Sequence, residues 1–213
     1  MLSACTGDLS ALDPAGPSAS AIATLWWAML TGAAGILCLV MALLFIVFFA
    51  PGIVRNVRSA HWIVGGGIVM PIPILIALLG YAYLQGEKLF GAGTPEPMLT
   101  VTATSRMWGW DFAYELDGRN ITSRDVLHIP VGQAIRIETT SLDVIHSFWV
   151  PRLGGKIDSI PGQVNSMVLQ ADIEGSFGGI CAEYCGQGHS GMSFRVQAHR
   201  GSDFENTVRN LGS

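Results

Sequence analysis

The chain has 213 residues, of which 50% are hydrophobic and only 13% charged, with a formal net charge of −4. It is too apolar for an ordinary soluble domain and too long to be a membrane anchor alone, so two parts are expected. The acidic balance points away from nucleic acid and towards a cationic partner.

At the N-terminus, Leu2-Ser3-Ala4-Cys5 matches the short signal at which bacterial lipoproteins are cleaved. The apolar stretch that should precede such a signal is not in the sequence. Two readings stand: Cys5 is the lipidated first residue of a chain that starts upstream, or it is a lone cysteine after small residues.

From Pro14 to Val54 no side chain is charged, and Thr24 to Ala50 can cross a bilayer core of about 30 Å as a helix. Trp62 to Leu84 is a second uncharged run. Pro71 and Pro73 inside it predict a kink, tolerated where neighbouring groups satisfy the freed carbonyls. Trp26, Trp27, Trp62, Tyr81 and Tyr83 lie near the ends of these runs, where amphipathic rings favour lipid headgroups. The connection Pro51 to Ala60 carries Arg55 and Arg58 and no acid, whereas the segment before the first run carries Asp8 and Asp13 and no base. The hairpin loop is therefore expected in the cytoplasm, with the N-terminus and the C-terminal part on the periplasmic side of a bacterial inner membrane. The expected divisions are an exported segment over 1–22, a two-span hairpin over 23–86, a linker over 87–97 and a periplasmic domain over 98–213.

After the Gly/Pro-rich linker the pattern changes to short β-like runs separated by turn residues. Met98–Ser105, Trp108–Glu115, Asp125–Ile129, Ala134–Thr140, Ile145–Val150, Asn165–Gln170, Gly179–Cys181 and Phe194–Ala198 read as strands, and Asp203–Leu211 as a short closing helix. Strands of this kind argue for an all-β Greek-key sandwich or barrel.

The run Cys181-Ala-Glu-Tyr-Cys-Gly-Gln-Gly-His-Ser-Gly-Met192 puts two thiols, an imidazole and a thioether in one loop, with His146 upstream. Gly178, Gly179, Gly186 and Gly188 make a helix improbable there, and a loop joining two strands can turn all the donors into one pocket. Thiolate and thioether are soft ligands, so copper is the first reading, and five side-chain donors exceed what one tetrahedral ion needs. A Cys181–Cys185 disulfide is the ordinary expectation for neighbouring cysteines in an exported domain, but it leaves His189 and Met192 unexplained. A structural zinc on Cys181, Cys185, His189 and His146 would leave Met192 unused. Cys38 reads as a small apolar residue, Met98, Met107 and Met167 as packing, and His128 and His199 as hydrogen-bonded strand-end residues.

The chain as a whole resembles subunit II of cytochrome c oxidase. The resemblance is carried by the two spans, by Trp108-Gly109-Trp110-Asp111-Phe112, by Asp143-Val144-Ile145-His146-Ser147 leading to Val150-Pro151, by Gly155-Lys156-Ile157-Asp158-Ser159-Ile160-Pro161-Gly162, and by the Cys181–Met192 loop. It implies a cupredoxin-like domain with a binuclear copper A centre. Cys181 and Cys185 would bridge the two ions, His146 and His189 would bind one each, and Met192 and the Glu183 carbonyl would be weak outer ligands. It also implies that Trp108 takes up electrons from cytochrome c and that Glu115, Asp117, Asp143 and Asp158 are candidates for an acidic docking face. The Glu183 side chain would help hold magnesium at the junction with subunit I. Subunit I, carrying the haem where oxygen becomes water, and subunit III would be the partners of an oxidase that pumps protons. Two positions depart from the family. His61 is the only polar side chain where many members have a proton-uptake glutamate at the second span, and Gln163 stands where arginine is frequent. No Cys-x-x-Cys-His motif is present, so the donor cytochrome is expected to be a separate protein. The competing reading from another class is a membrane-anchored assembly or interaction protein whose β domain holds a Cys181–Cys185 disulfide.

Overall fold

The first uncharged run forms a single helix, α1 (Pro17–Phe49). This computed structural model describes residues 5–55, 57–89, 98–116 and 118–211. A short turn of helix, α2 (Pro51–Val54), follows, and the second run is broken into α3 (Ser59–Val64), a π-turn over Gly65–Val69 and α4 (Pro71–Leu89). Just before Pro71 the helix is interrupted by a widened π-turn with three glycines and restarts with proline at its first position. Pro17–Phe49 and Ser59–Leu84 are each apolar and long enough to cross a membrane. At about 1.5 Å per residue even the 26 residues of the second exceed the hydrocarbon thickness.

By its internal contacts the chain falls into two units, Thr24–Glu87 and a β unit made of the chain up to Ala23 together with the chain from Lys88 onward. The segment before α1, expected as a separate exported stretch, packs into the β unit. The Ala15 N–H donates to the Arg152 carbonyl at 2.7 Å, the Ala15 carbonyl accepts the Asp172 N–H at 2.8 Å, and Ala15, Ala19 and Ala23 are buried. The linker residues 90–97, residues 1–4 and Asp117 lie outside the described residues.

The β unit is a sandwich of two five-stranded sheets. One has the order β3 (Arg119–Arg124), β2 (Gly109–Leu116), β1 (Thr100–Arg106), β5 (Ile135–Ser141), β8 (Asn165–Leu169). The other has the order β4 (Val126–Pro130), β10 (Ser193–His199), β9 (Gly175–Cys181), β6 (His146–Trp149), β7 (Lys156–Ser159). The pairs β1–β5 and β4–β10 are parallel and the rest antiparallel. This is the cupredoxin-like fold expected, with ten strands where eight are expected, since β3 and β7 went unread. Helix α5 (Gly201–Leu211) closes the chain with Phe204 and Val208 buried. Alternation sets the core: Val101 and Ala103 on β1, Ile135 and Ile137 on β5, and Phe194, Val196 and Ala198 on β10 all face inward. At the centre Trp110, Phe112, Phe148 and Phe194 pack with ring centroids 4.8–6.5 Å apart. Each such ring contributes about 1.5–3 kcal/mol by leaving water. Met107, expected as packing, is instead exposed on the turn between β1 and β2.

Candidate metal centre

Three strand ends and one loop build the site above this aromatic core. β9 ends on Cys181, β6 begins on His146, and the loop 182–192 returns to β10. Strand pairing of Phe148 with Cys181 brings the start of β6 beside the end of β9. The loop is held by its own backbone: the Cys181 N–H donates to the Met192 carbonyl at 3.0 Å and the Ala182 N–H to the Ser147 carbonyl at 2.9 Å. A 3₁₀ turn, His189–Gly191, supplies the Met192 N–H to the His189 carbonyl at 3.1 Å.

All six residues singled out from the sequence meet here. The Cys181 and Cys185 sulfurs are 3.8 Å apart, both residues are buried, and both thiols are free. His146 Nδ1 lies 3.8 Å from Cys181 Sγ, His189 Nδ1 3.6 Å from Cys185 Sγ, and Met192 Sδ 3.7 Å from Cys185 Sγ. The Glu183 carbonyl accepts the Cys181 thiol at 3.2 Å. Ligand atoms of His146, Cys181 and Cys185 fall within 4.8 Å of one another. Burial, then the neighbouring Cys181 and Asp143, push the Cys185 thiol up to about 12, so without a cation it holds its proton. A bound cation reverses that preference.

The surroundings orient these groups. The fully buried His146 ring meets the Asp143 carboxylate through Nε2 at 2.8 Å. Burial raises the Asp143 pKa, but hydrogen bonds from His146, the Met107 N–H and the Val144 N–H outweigh it and leave the group below its ordinary value. The Trp108 indole N–H donates to the Cys185 carbonyl at 3.0 Å. Its ring lies over Gly188, where a Cβ would run into the indole. The Met107–Trp108 peptide is cis. Trp108 is 47% exposed, and Met107, Val144, Ile145 and Tyr184 beside the pocket are exposed as well.

The remaining expectations land elsewhere. Glu115 is at the far end of β2, about 20 Å from Trp108 at the usual strand rise. Asp158 and the Glu183 carboxylate lie 3.9 Å and 3.7 Å from Lys156 Nζ. Gln163 donates to Asn165 Oδ1 at 2.8 Å. His128 and His199 form a hydrogen-bonded pair, Nδ1 to Nε2, at 2.8 Å. Sequence reasoning did not foresee that Asp143 holds His146 or that Gly188 seats Trp108. The second depends on contact between segments far apart in the chain; the first is local, and the Asp-x-x-His spacing was its only hint.

Fold and site together define a membrane-anchored, cupredoxin-like protein with a soft-donor pocket at one end of its sandwich. The profile of the family described as cytochrome C oxidase subunit II, periplasmic domain, matches residues 115–199. The cytochrome c oxidase subunit 2 of Alkalihalophilus pseudofirmus is 34% identical over 226 residues, which take in 100% of this chain and 65% of that protein. The cytochrome c oxidase subunit 2 of Branchiostoma floridae is 30% identical over 186 residues, 76% of this chain and 78% of that one. The crystal structure of the periplasmic domain of subunit II of cytochrome oxidase from Bradyrhizobium japonicum aligns with a TM-score of 0.52 at 30% identity, over 56% of this chain and 96% of that one. The chain belongs to the cytochrome c oxidase subunit II family.

Proposed function

We propose that this chain is the electron-input subunit of a respiratory cytochrome c oxidase, receiving electrons from cytochrome c and passing them to haem in subunit I, where oxygen is reduced to water and protons are pumped. The observation that carries the reading is the convergence of two free, buried thiols 3.8 Å apart with two imidazoles, a thioether and a backbone carbonyl. That donor set fits a binuclear copper centre: Cys181 and Cys185 would bridge, His146 and His189 would each bind one ion through Nδ1, and Met192 and the Glu183 carbonyl would be weak outer ligands. When bound, the copper pair would supply one electron-accepting unit shared through the two sulfurs. The sulfur separation is well beyond the roughly 2.05 Å of a disulfide, which weighs against an interaction module with an oxidised pair.

The protein's own part is rigidity and access. Cys181, Cys185 and Met192 are buried members of the hydrophobic core, which keeps water from the sulfurs and keeps the ligands from relaxing as charge changes. Trp108 offers an exposed ring to the donor and a hydrogen bond to the Cys185 carbonyl behind it. The exposed Met107, Val144, Ile145 and Tyr184 around it make the docking surface largely apolar at its centre, with Asp158 a candidate for steering a basic partner. The reading puts the β unit on the periplasmic side, the arginine-bearing hairpin loop in the cytoplasm, and the spans against subunit I, with subunit III in the same assembly. The Glu183 carboxylate would exchange Lys156 for a magnesium ion at the subunit I boundary.

The test is kinetic and spectroscopic. In the assembled oxidase, Cys185→Ser is expected to remove the near-infrared absorption of the copper pair and stop cytochrome c oxidation while haem in subunit I is retained. Trp108→Phe is expected to keep that absorption and slow electron uptake at least tenfold. Normal turnover in the serine variant would contradict the reading.

A further inference from the structure

Asp143 occupies the turn between β5 and β6 and uses both carboxylate oxygens. Oδ1 meets His146 Nε2 at 2.8 Å and accepts the Val144 N–H at 2.6 Å; Oδ2 accepts the Met107 N–H at 2.7 Å. A carboxylate only accepts here, so the His146 nitrogen facing it carries the hydrogen and Nδ1, the nitrogen turned towards Cys181, keeps its lone pair. Met107 is bonded to Trp108, and the Trp108 indole returns to the Cys185 carbonyl at 3.0 Å. The contacts therefore close a ring: Cys181, His146, Asp143, Met107, Trp108, Cys185 and back to Cys181. Within it the Asp143 carboxylate ties His146, a candidate metal ligand, to the backbone of the turn that carries the exposed indole.

We propose that Asp143 is a positioning residue, a single carboxylate that fixes the tautomer and orientation of His146 for metal binding and at the same time holds the Trp108 turn against the loop. This rests on the copper reading above. It differs from a docking role, in which Asp143 would act only by its negative charge on a basic partner. The two roles separate because Asp143→Glu keeps the charge but moves the carboxylate by one methylene, whereas Asp143→Asn keeps the size but loses the charge and one of the two acceptors.

The experiment uses the full chain in detergent. In the metal-free protein, nitrogen NMR of the imidazoles is expected to report the Nε2–H tautomer for His146; the Nδ1–H tautomer overturns the proposal, whatever the variants do. Chelator competition with added copper is expected to show affinity lowered about 10–100-fold in both variants, the usual cost of losing such a hydrogen-bond partner, with altered copper hyperfine splitting in both. Glutamate at wild-type affinity and spectrum, with asparagine affecting only salt-dependent association with cytochrome c, overturns positioning and leaves docking. A wild-type chain that takes up no copper overturns the copper reading itself, and this proposal with it.

Discussion

His128 titrates against the fold. It is buried on β4, its Nδ1 is 2.8 Å from His199 Nε2, and its backbone N–H donates to the Tyr114 hydroxyl at 2.7 Å. Burial first, and the neighbouring His199 second, hold its pKa below the ordinary 6.5. The native state thus stays neutral where the unfolded chain takes a proton, so stability present above about pH 6.5 is lost as pH falls from there through the lowered native value. The thermal midpoint of the β unit is expected to drop on acidification below that point, and His128→Gln to flatten the drop; an unchanged slope in the variant would count against this. At this same scale the site was legible in the sequence because soft donors in one Gly-rich loop have few other uses. The Asp143–His146 bond was not, since an i,i+3 spacing alone does not say that the turn before β6 folds the carboxylate back onto the ring, and the seating of Trp108 on Gly188 was not, since it requires the β1–β2 turn to meet the 182–192 loop.

The segment before α1 is an element that composition alone hid. It carries no periodic pattern, yet its backbone is stitched to the Arg152 carbonyl and the Asp172 N–H, Arg152 holds the Asp13 carboxylate at 3.1 Å and its carbonyl at 2.8 Å, and Asp8 pairs with Arg195. Gly16 is needed at the closest approach, where a Cβ would collide with the Gln170 carbonyl. Gly16→Val is therefore expected to destabilise the β unit by about 1–3 kcal/mol through forced backbone shifts, read as a lower denaturation midpoint. Arg195→Ala, which breaks an exposed pair, is expected to cost less than about 1 kcal/mol; a larger loss from Arg195→Ala than from Gly16→Val would refute the packing argument. Strands were legible where alternation was clean, as in β1 and β5. β3 escaped because Arg119, Asn120, Thr122 and Arg124 make it polar, with only Ile121 and Ser123 turned inward. β7 escaped because it is four residues long and begins with an exposed lysine. The π-turn likewise lies directly ahead of Pro71, which has no N–H to continue the helical bonding, and hydropathy does not register that.

At the scale of the molecule, an acidic domain follows two apolar helices whose connecting loop is basic, and two of the four cysteines, two of the five histidines and one methionine gather at one end of the sandwich. The apolar runs were readable at once because a bilayer-length uncharged stretch has no place in a soluble domain of this size. The central claim is that the gathered thiols, imidazoles and thioether hold two copper ions. Metal analysis with electron paramagnetic resonance on the purified oxidase tests it most directly. The account predicts copper in this chain and a signal from one unpaired electron shared by two equivalent copper nuclei, both lost in Cys185→Ser. A metal-replete, active assembly in which this chain holds no copper, or holds zinc or a Cys181–Cys185 disulfide instead, would contradict it.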